Sequence, residues 1–336
     1  MTRSTGVGSW PGDDAAGDGA DFAEALRVVL GELDLPHLPE LPGRGAHAAL
    51  TGRGLAVLAE LGADLQPSGW RLTGGGPGTS GVDHRRARSL LAQDLDALEE
   101  QAQGLTGAVK VQVAGPWTLA ATVERPRGDV LLADHGARRE LAQGLAEGVG
   151  AHVADVLRRV PGATEVVVQL DEPALPAVLA GAVPTVSGIG RHRTIHPPEA
   201  SALLEEVLGA VTAAGGTPWV HCCAPDAPLG LLRGAGAGGL AVDLGLLDAT
   251  GHDALAAALE DGATAVLGVL PGTGAEPGTS QTAVVERVER WFEMTGLDLG
   301  AMSGQVALSP SCGLAGATYA AARQACTLLA GAARSL

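Results

Sequence analysis

Short apolar segments with a period of two alternate with longer segments of helical period, eight times along 336 residues. That alternation restricts the fold more than any single motif does. The strand-like segments lie at 5–11, 35–41, 108–114, 164–173, 219–225, 239–244, 263–270 and 305–313. Helical spacing follows them from Asp21 (Phe22, Leu26, Leu30) and over 53–61, 83–105, 138–160, 198–213, 252–261, 282–295 and 315–332. Each strand ends in Gly, Pro or a polar residue. The pattern predicts a (β/α)8 TIM barrel, with a doubly wound open sheet as the alternative. We expect a single domain, 1–336, with a loop or hairpin excursion at about 62–82. The segment 35–41 carries prolines at 36 and 39, with another at 42, so it is expected to be an irregular strand.

Composition narrows the function classes. A chain of this length with 46% hydrophobic residues can bury a large core. No apolar run is long enough to cross a bilayer, and Met-Thr-Arg-Ser-Thr-Gly lacks the apolar region of a signal peptide, so a cytoplasmic protein without a membrane partner is expected. The formal net charge of −16 argues against a nucleic-acid partner, because phosphate binding needs a basic face. Four cysteines, at 222, 223, 312 and 326, are too few for a disulfide framework in so long a chain. Metal binding or burial accounts for them better.

Active sites of TIM barrels are built at the carboxyl ends of the strands. Ser9, Glu40, Asp171, His221, Cys223, Asp243 and Cys312 all fall there. In Trp219-Val220-His221-Cys222-Cys223, His221 and Cys223 face the same side and Cys222 faces away. With Asp243 and Cys312 they offer one nitrogen, two sulfurs and one carboxylate, a set suited to tetrahedral zinc, Zn2+. The alternative is that both cysteines are small buried hydrophobes and Asp243 is hydrogen-bonded at a strand end. Cys222 is expected under a helix, and Cys326 in the core of the last one.

Three other stretches have two readings each. Gly76, Gly78 and Gly81 form a G-x-G-x-x-G, but no buried strand precedes them, so the loop from Gly74 to Gly81 is read as mobile or as a lid. Arg191-His192-Arg193-Thr194-Ile195-His196 is either a solvated loop or a binder of an anionic donor. Trp117, after Gly115-Pro116, either stacks on a ligand or lids the core.

Val7-Gly8-Ser9-Trp10-Pro11, Gln169-Leu170-Asp171-Glu172-Pro173-Ala174-Leu175, His221-x-Cys223 and Ser309-Pro310-Ser311-Cys312-Gly313-Leu314 occur in an order that resembles the catalytic, zinc-binding C-terminal domain of cobalamin-independent methionine synthase. Val113-Ala114-Gly115-Pro116-Trp117-Thr118 is similar to that family's Gly-Pro-x-Thr segment. The resemblance covers nearly the whole chain and fits a short core form without the family's amino-terminal barrel. It implies a zinc-dependent methyltransferase that activates the thiol of homocysteine and yields methionine, with a methyl donor such as methyltetrahydrofolate or methylcobalamin on a corrinoid protein. Carried across motif by motif, His221, Cys223 and Cys312 would hold zinc, and Asp243 would stand where the family has a glutamate ligand. Ser9 and Asp171 would hold the carboxylate and ammonium ends of the amino acid, Glu40 would be a second acid near the ammonium, and Trp117 would meet a pterin. The alternatives are a uroporphyrinogen-decarboxylase-like corrinoid:thiol methyltransferase acting on another thiol, and a non-catalytic zinc-binding relative.

Overall fold

A computed structural model of the chain describes residues 1–17, 19–76 and 78–336. Pro77 of the glycine-rich loop lies outside the described residues. In chain order the elements begin with β1 (Arg3–Ser4), α1 (Ala20–Glu32), α2 (Leu50–Val57), β2 (Leu61–Gln66), β3 (Gly69–Gly75) and α3 (Val82–Gln101). Next come β4 (Gly107–Ala114), α4 (Pro116–Thr122), α5 (His135–Arg159), β5 (Ala163–Asp171), α6 (Leu175–Leu179), α7 (Pro197–Ala213) and β6 (Thr217–Cys222). The chain closes with α8 (Leu229–Gly234), β7 (Gly239–Asp243), α9 (Ala249–Glu260), β8 (Thr264–Leu270), α10 (Gln281–Thr295), α11 (Leu299–Met302), β9 (Val306–Pro310) and α12 (Tyr319–Ser335).

Among the described residues seven strands form one parallel sheet in the order β1-β9-β8-β7-β6-β5-β4. It curls as a half-barrel with the helices outside. The β2–β3 pair is a separate antiparallel hairpin. Helix starts are set locally by side-chain caps: Asp134, Asp248, Ser280 and Thr318 each accept a backbone N–H from the first turn of α5, α9, α10 and α12.

The two edges of the sheet meet the segment between α1 and α2. Leu35 N donates to Ser4 O (2.9 Å), Glu40 N to Gly8 O (3.1 Å) and Trp10 N to Glu40 O (2.7 Å) on one side; Lys110 N donates to Pro36 O (2.8 Å) and Leu38 N to Lys110 O (3.0 Å) on the other. The contacts are isolated bridges, Ser9 with Glu40 and His37 with Lys110, and not a continuous ladder. Pro36 and Pro39 have no N–H to donate, which breaks the ladder where alternation of apolar residues would have continued it.

Boundaries moved where the sequence pattern was ambiguous. The helix expected over 53–61 spans Leu50–Val57, because the apolar run from Leu55 to Ala59 fits either period and Leu58 leaves helical geometry, with ψ at 124°. The ladder between the first strand and β9 is set at Arg3 and Ser4, ahead of the expected 5–11, within which Ser9 bridges Glu40. Short helices α4, α6 and α8 lie directly after strands, and α4 opens on Pro116, whose missing N–H costs nothing at a helix start.

Candidate active site at the carboxyl ends of the strands

Side chains alternate across a strand, so the inner face of the curled sheet can be followed in steps of two. Its lower layer is apolar: Leu35, Val167, Trp219, Ala241, Val266 and Ala307 pack together with Ala108 against them. One step up, on the same faces, stand Gln169, His221, Asp243, Gly268 and Ser309, and beyond these Asp171 and Cys223. The register staggers neighbouring strands, pairing Asp171 with His221, His221 with Ala241, and Asp243 with Gly268. An apolar plug thus carries a polar floor.

Among the described residues, the ligand atoms of His221, Cys223 and Cys312 lie within 4.8 Å of one another. The two sulfurs are 3.1 Å apart. His221 is buried, and neither of its ring nitrogens has a hydrogen-bond partner. An unpaired buried imidazole is costly, and the absence of a protein partner on either nitrogen is explained if one of them serves a ligand. Tetrahedral zinc with bonds of about 2.0–2.3 Å sets its ligand atoms roughly 3.5–3.8 Å apart, so the donor set suits the ion and the two sulfurs would part by about 0.6 Å to hold it. The sulfur pair shares its ionisation: contact with Cys223 and then with His221 draws the Cys312 thiol well down, while contact with Cys312 and burial push Cys223 up.

Asp243 is not part of that group. Its Oδ1 accepts from Gly245 N at 2.9 Å, capping the short turn after β7, so the expected carboxylate ligand is turned onto the backbone. Cys222 lies on the opposite face of β6, where burial pushes its thiol up to about 11, and Cys326 in α12 is raised by burial to about 12. Both are packing residues.

Beside the sulfurs, Asp171 and Glu40 approach from β5 and the Leu35–Leu41 segment. Asp171 accepts from Gln169 Nε2 (2.7 Å), and burial pushes its carboxyl up to about 7. Glu40 accepts from Gln112 Nε2 (3.0 Å), lies 3.4 Å from Arg53 Nε, and is likewise raised by burial. Arg53 also bonds Asp94, which Arg44 grips with two hydrogen bonds of 2.8 and 2.7 Å. Ser9 closes this side: its Oγ accepts from Ala315 N (3.4 Å), and its O accepts from Leu314 N (2.8 Å). A Cβ at Gly313 would fall on Ser9 Oγ, so only glycine lets the loop carrying Cys312 lie this close to Ser9.

Lys110, Gln112, Gln169, Arg53 and Glu172 are buried here and were not singled out from sequence. The signal was present in Val109-Lys110-Val111-Gln112-Val113, where polar residues occupy alternate positions of a strand covered on both faces. Glu172 accepts from Trp117 N (2.9 Å), Thr118 N (2.8 Å) and Thr118 Oγ1 (2.8 Å), pinning the start of α4. Of its two readings, Trp117 takes the one in which it lids the core. Its ring is fully buried and its Nε1 donates to Ala200 O in α7 (3.1 Å), so it packs between helices and offers no face to a ligand. Arg191 pairs with Pro184 across an exposed turn, and His192 Nε2 lies 3.3 Å from Asp129 Oδ1. A cavity of about 510 Å³ opens at the ends of β7 and β8, with Asp243, Leu270, Arg287 and Ser311 in its wall, and none of His221, Cys223 and Cys312 lines it.

No protein-family model matches the sequence, and no curated protein does. Among solved structures, the 2,3-dimethylmalate lyase of the PEP mutase/isocitrate lyase superfamily is 14% identical over 65% of this chain and 80% of its own, with a TM-score of 0.24, too low to argue from. The chain is similar in fold, at full length, to a B12-independent methionine synthase from Shewanella sp. W3-18-1 in complex with selenomethionine: 14% identity, 99% of this chain and 96% of that one, TM-score 0.63.

Proposed function

We propose that this protein is a zinc-dependent methyltransferase that methylates the thiol of homocysteine to give methionine, using a methyl-folate or a methylcobalamin carrier as donor. The observation that carries the reading is the convergence of His221, Cys223 and Cys312, with both imidazole nitrogens unpaired, next to two buried carboxyl groups. The similar synthase is described in complex with selenomethionine, the selenium form of the proposed product, and resembles this chain in fold over 96% of its length. In this reading the Leu35–Leu41 segment is the eighth stave of a (β/α)8 barrel, bonded to both edges of the curled sheet, and the chain is one catalytic domain.

His221, Cys223 and Cys312 would hold the ion, leaving one of four positions open, as catalytic zinc sites do. When bound there, zinc supplies the Lewis acidity that lets an incoming thiol lose its proton near neutral pH. The chain's own groups do the rest. Asp171 and Glu40 receive the ammonium of the amino acid, Ser9 and the backbone of the Gly313 loop receive its carboxylate, and the sulfur is thereby oriented for in-line attack on a methyl group. Fixing both ends of a short flexible molecule removes the rotational freedom that otherwise slows a bimolecular step. The buried surroundings strengthen each of these charge pairs relative to water.

The test is a donor panel with homocysteine as acceptor, scoring methionine by mass spectrometry: methyltetrahydrofolate, its polyglutamate form and methylcobalamin. Metal content of the wild type and of Cys312→Ala is measured in parallel. Methionine formation with one donor and about one zinc per wild-type chain, lost in the variant, is expected. A wild type that binds no zinc, or a variant that binds as much as the wild type, overturns the site. Failure with all three donors overturns the activity.

A further inference from the structure

Under the carboxylates sits a cation with no route to solvent. Lys110, on β4, is fully buried, and its Nζ donates to Val7 O (2.8 Å) and to Gln169 Oε1 (2.9 Å). Gln169, on β5, is also buried, and its Nε2 donates to Val7 O (2.8 Å) and to Asp171 Oδ1 (2.7 Å). An amide side chain alone can present either end to a neighbour. The Lys110 ammonium, which only donates, and Val7 O, which only accepts, remove that choice together: Gln169 turns its oxygen to Lys110 and its NH2 to Val7 O and Asp171.

We propose that Lys110 is the positioning residue of the amino-group subsite, fixing the Gln169 amide so that Asp171 accepts on Oδ1 and keeps Oδ2 for the ammonium of an α-amino thiol. This rests on the reading of the site as one for homocysteine, and it adds the element that selects the amino group. Among the described residues no protein donor reaches Asp171 Oδ2. With the amide reversed, Gln169 would set an oxygen against the carboxylate, and Asp171 would have to rotate away or take a proton. Either change removes the acceptor that a cationic head group needs. Leu38 O and Glu40 Oε1 hold Gln112 Nε2 in the corresponding way on the neighbouring side, so the two acids are each set by an amide.

The experiment compares homocysteine with 4-mercaptobutanoic acid, the same chain without its amino group, by calorimetric titration of zinc-loaded protein. Wild type should favour homocysteine by about tenfold or more, the expected worth of a charge-assisted hydrogen bond. Lys110→Met should lose that preference through weaker homocysteine binding, while its affinity for the des-amino thiol and its zinc content stay unchanged. In Gln169→Leu, adding Lys110→Met should change nothing further, since both act through one amide. A Lys110→Met protein that keeps the full preference overturns the proposal and leaves the homocysteine reading standing; a wild type without preference overturns both. Should the variant fail to fold, the wild type still decides. With glutamine side chains labelled by 15N, the Gln169 NH2 resonances should shift with homocysteine and not with 4-mercaptobutanoic acid, and equal shifts with both refute the role.

Discussion

Substituting Glu172 by Gln should change how stability depends on pH, by an amount the structure sets. The carboxyl is fully buried and accepts three hydrogen bonds at the start of α4, yet burial outweighs them and pushes it up to about 7 from 4.5. A folded-state value above the unfolded one means the folded chain binds more protons between the two. The contribution of Glu172 is therefore present in full below about pH 4.5 and fades as pH rises to about 7. The interval from 4.5 to about 7 corresponds to roughly 3.5 kcal/mol at about 1.4 kcal/mol per unit. Glutamine reproduces the protonated acid in shape and in charge. Urea unfolding of wild type and Glu172→Gln at pH 5 and pH 8 isolates this group, because other carboxyls cancel in the difference. The variant should gain about 2–3 kcal/mol on the wild type between the two pH values. A difference constant within about 0.5 kcal/mol would show that the three donors hold the carboxylate ionised, and the burial argument would fail.

Three further outcomes follow from the site. Asp243→Ala should keep the zinc stoichiometry of the wild type by metal analysis, since its carboxylate caps Gly245; loss as complete as in Cys223→Ala would make it a ligand. Trp117→Phe should lower stability by about 1–3 kcal/mol in thermal or urea unfolding, through the lost bond to Ala200 O, and leave the KM for the methyl donor unchanged. Gly313→Ala should drive a Cβ onto Ser9 Oγ, lowering stability by about 1–3 kcal/mol and raising the KM for homocysteine several-fold more than it lowers zinc content.

What could be read in advance divides along physical lines. The parallel strands 164–173 and 263–270 were legible because buried strands of a parallel sheet are uninterrupted β-branched runs, whereas 35–41 was not fully so, because Pro36 and Pro39 delete the donors by which a strand is defined. Period-two spacing was enough to put His221 and Cys223 on one face. It could not show that the Asp243 side chain turns onto Gly245, which is a choice of rotamer. Trp117 shows the same limit: its position after a strand end was visible, but the neighbour that claims its N–H, Ala200, lies 83 residues away. Lys110 gives no clear signal of its role in the sequence, because a lysine normally keeps its charge in water. Only the fold shows that two carbonyl oxygens were brought to it.

The layer of Leu35, Val167, Trp219, Ala241, Val266 and Ala307 has a consequence for traffic. It stops that end of the barrel like a cork, so in the proposed reaction acceptor, donor and product would all have to use the opposite end. Under that arrangement a product still in place would stand in the way of the next acceptor.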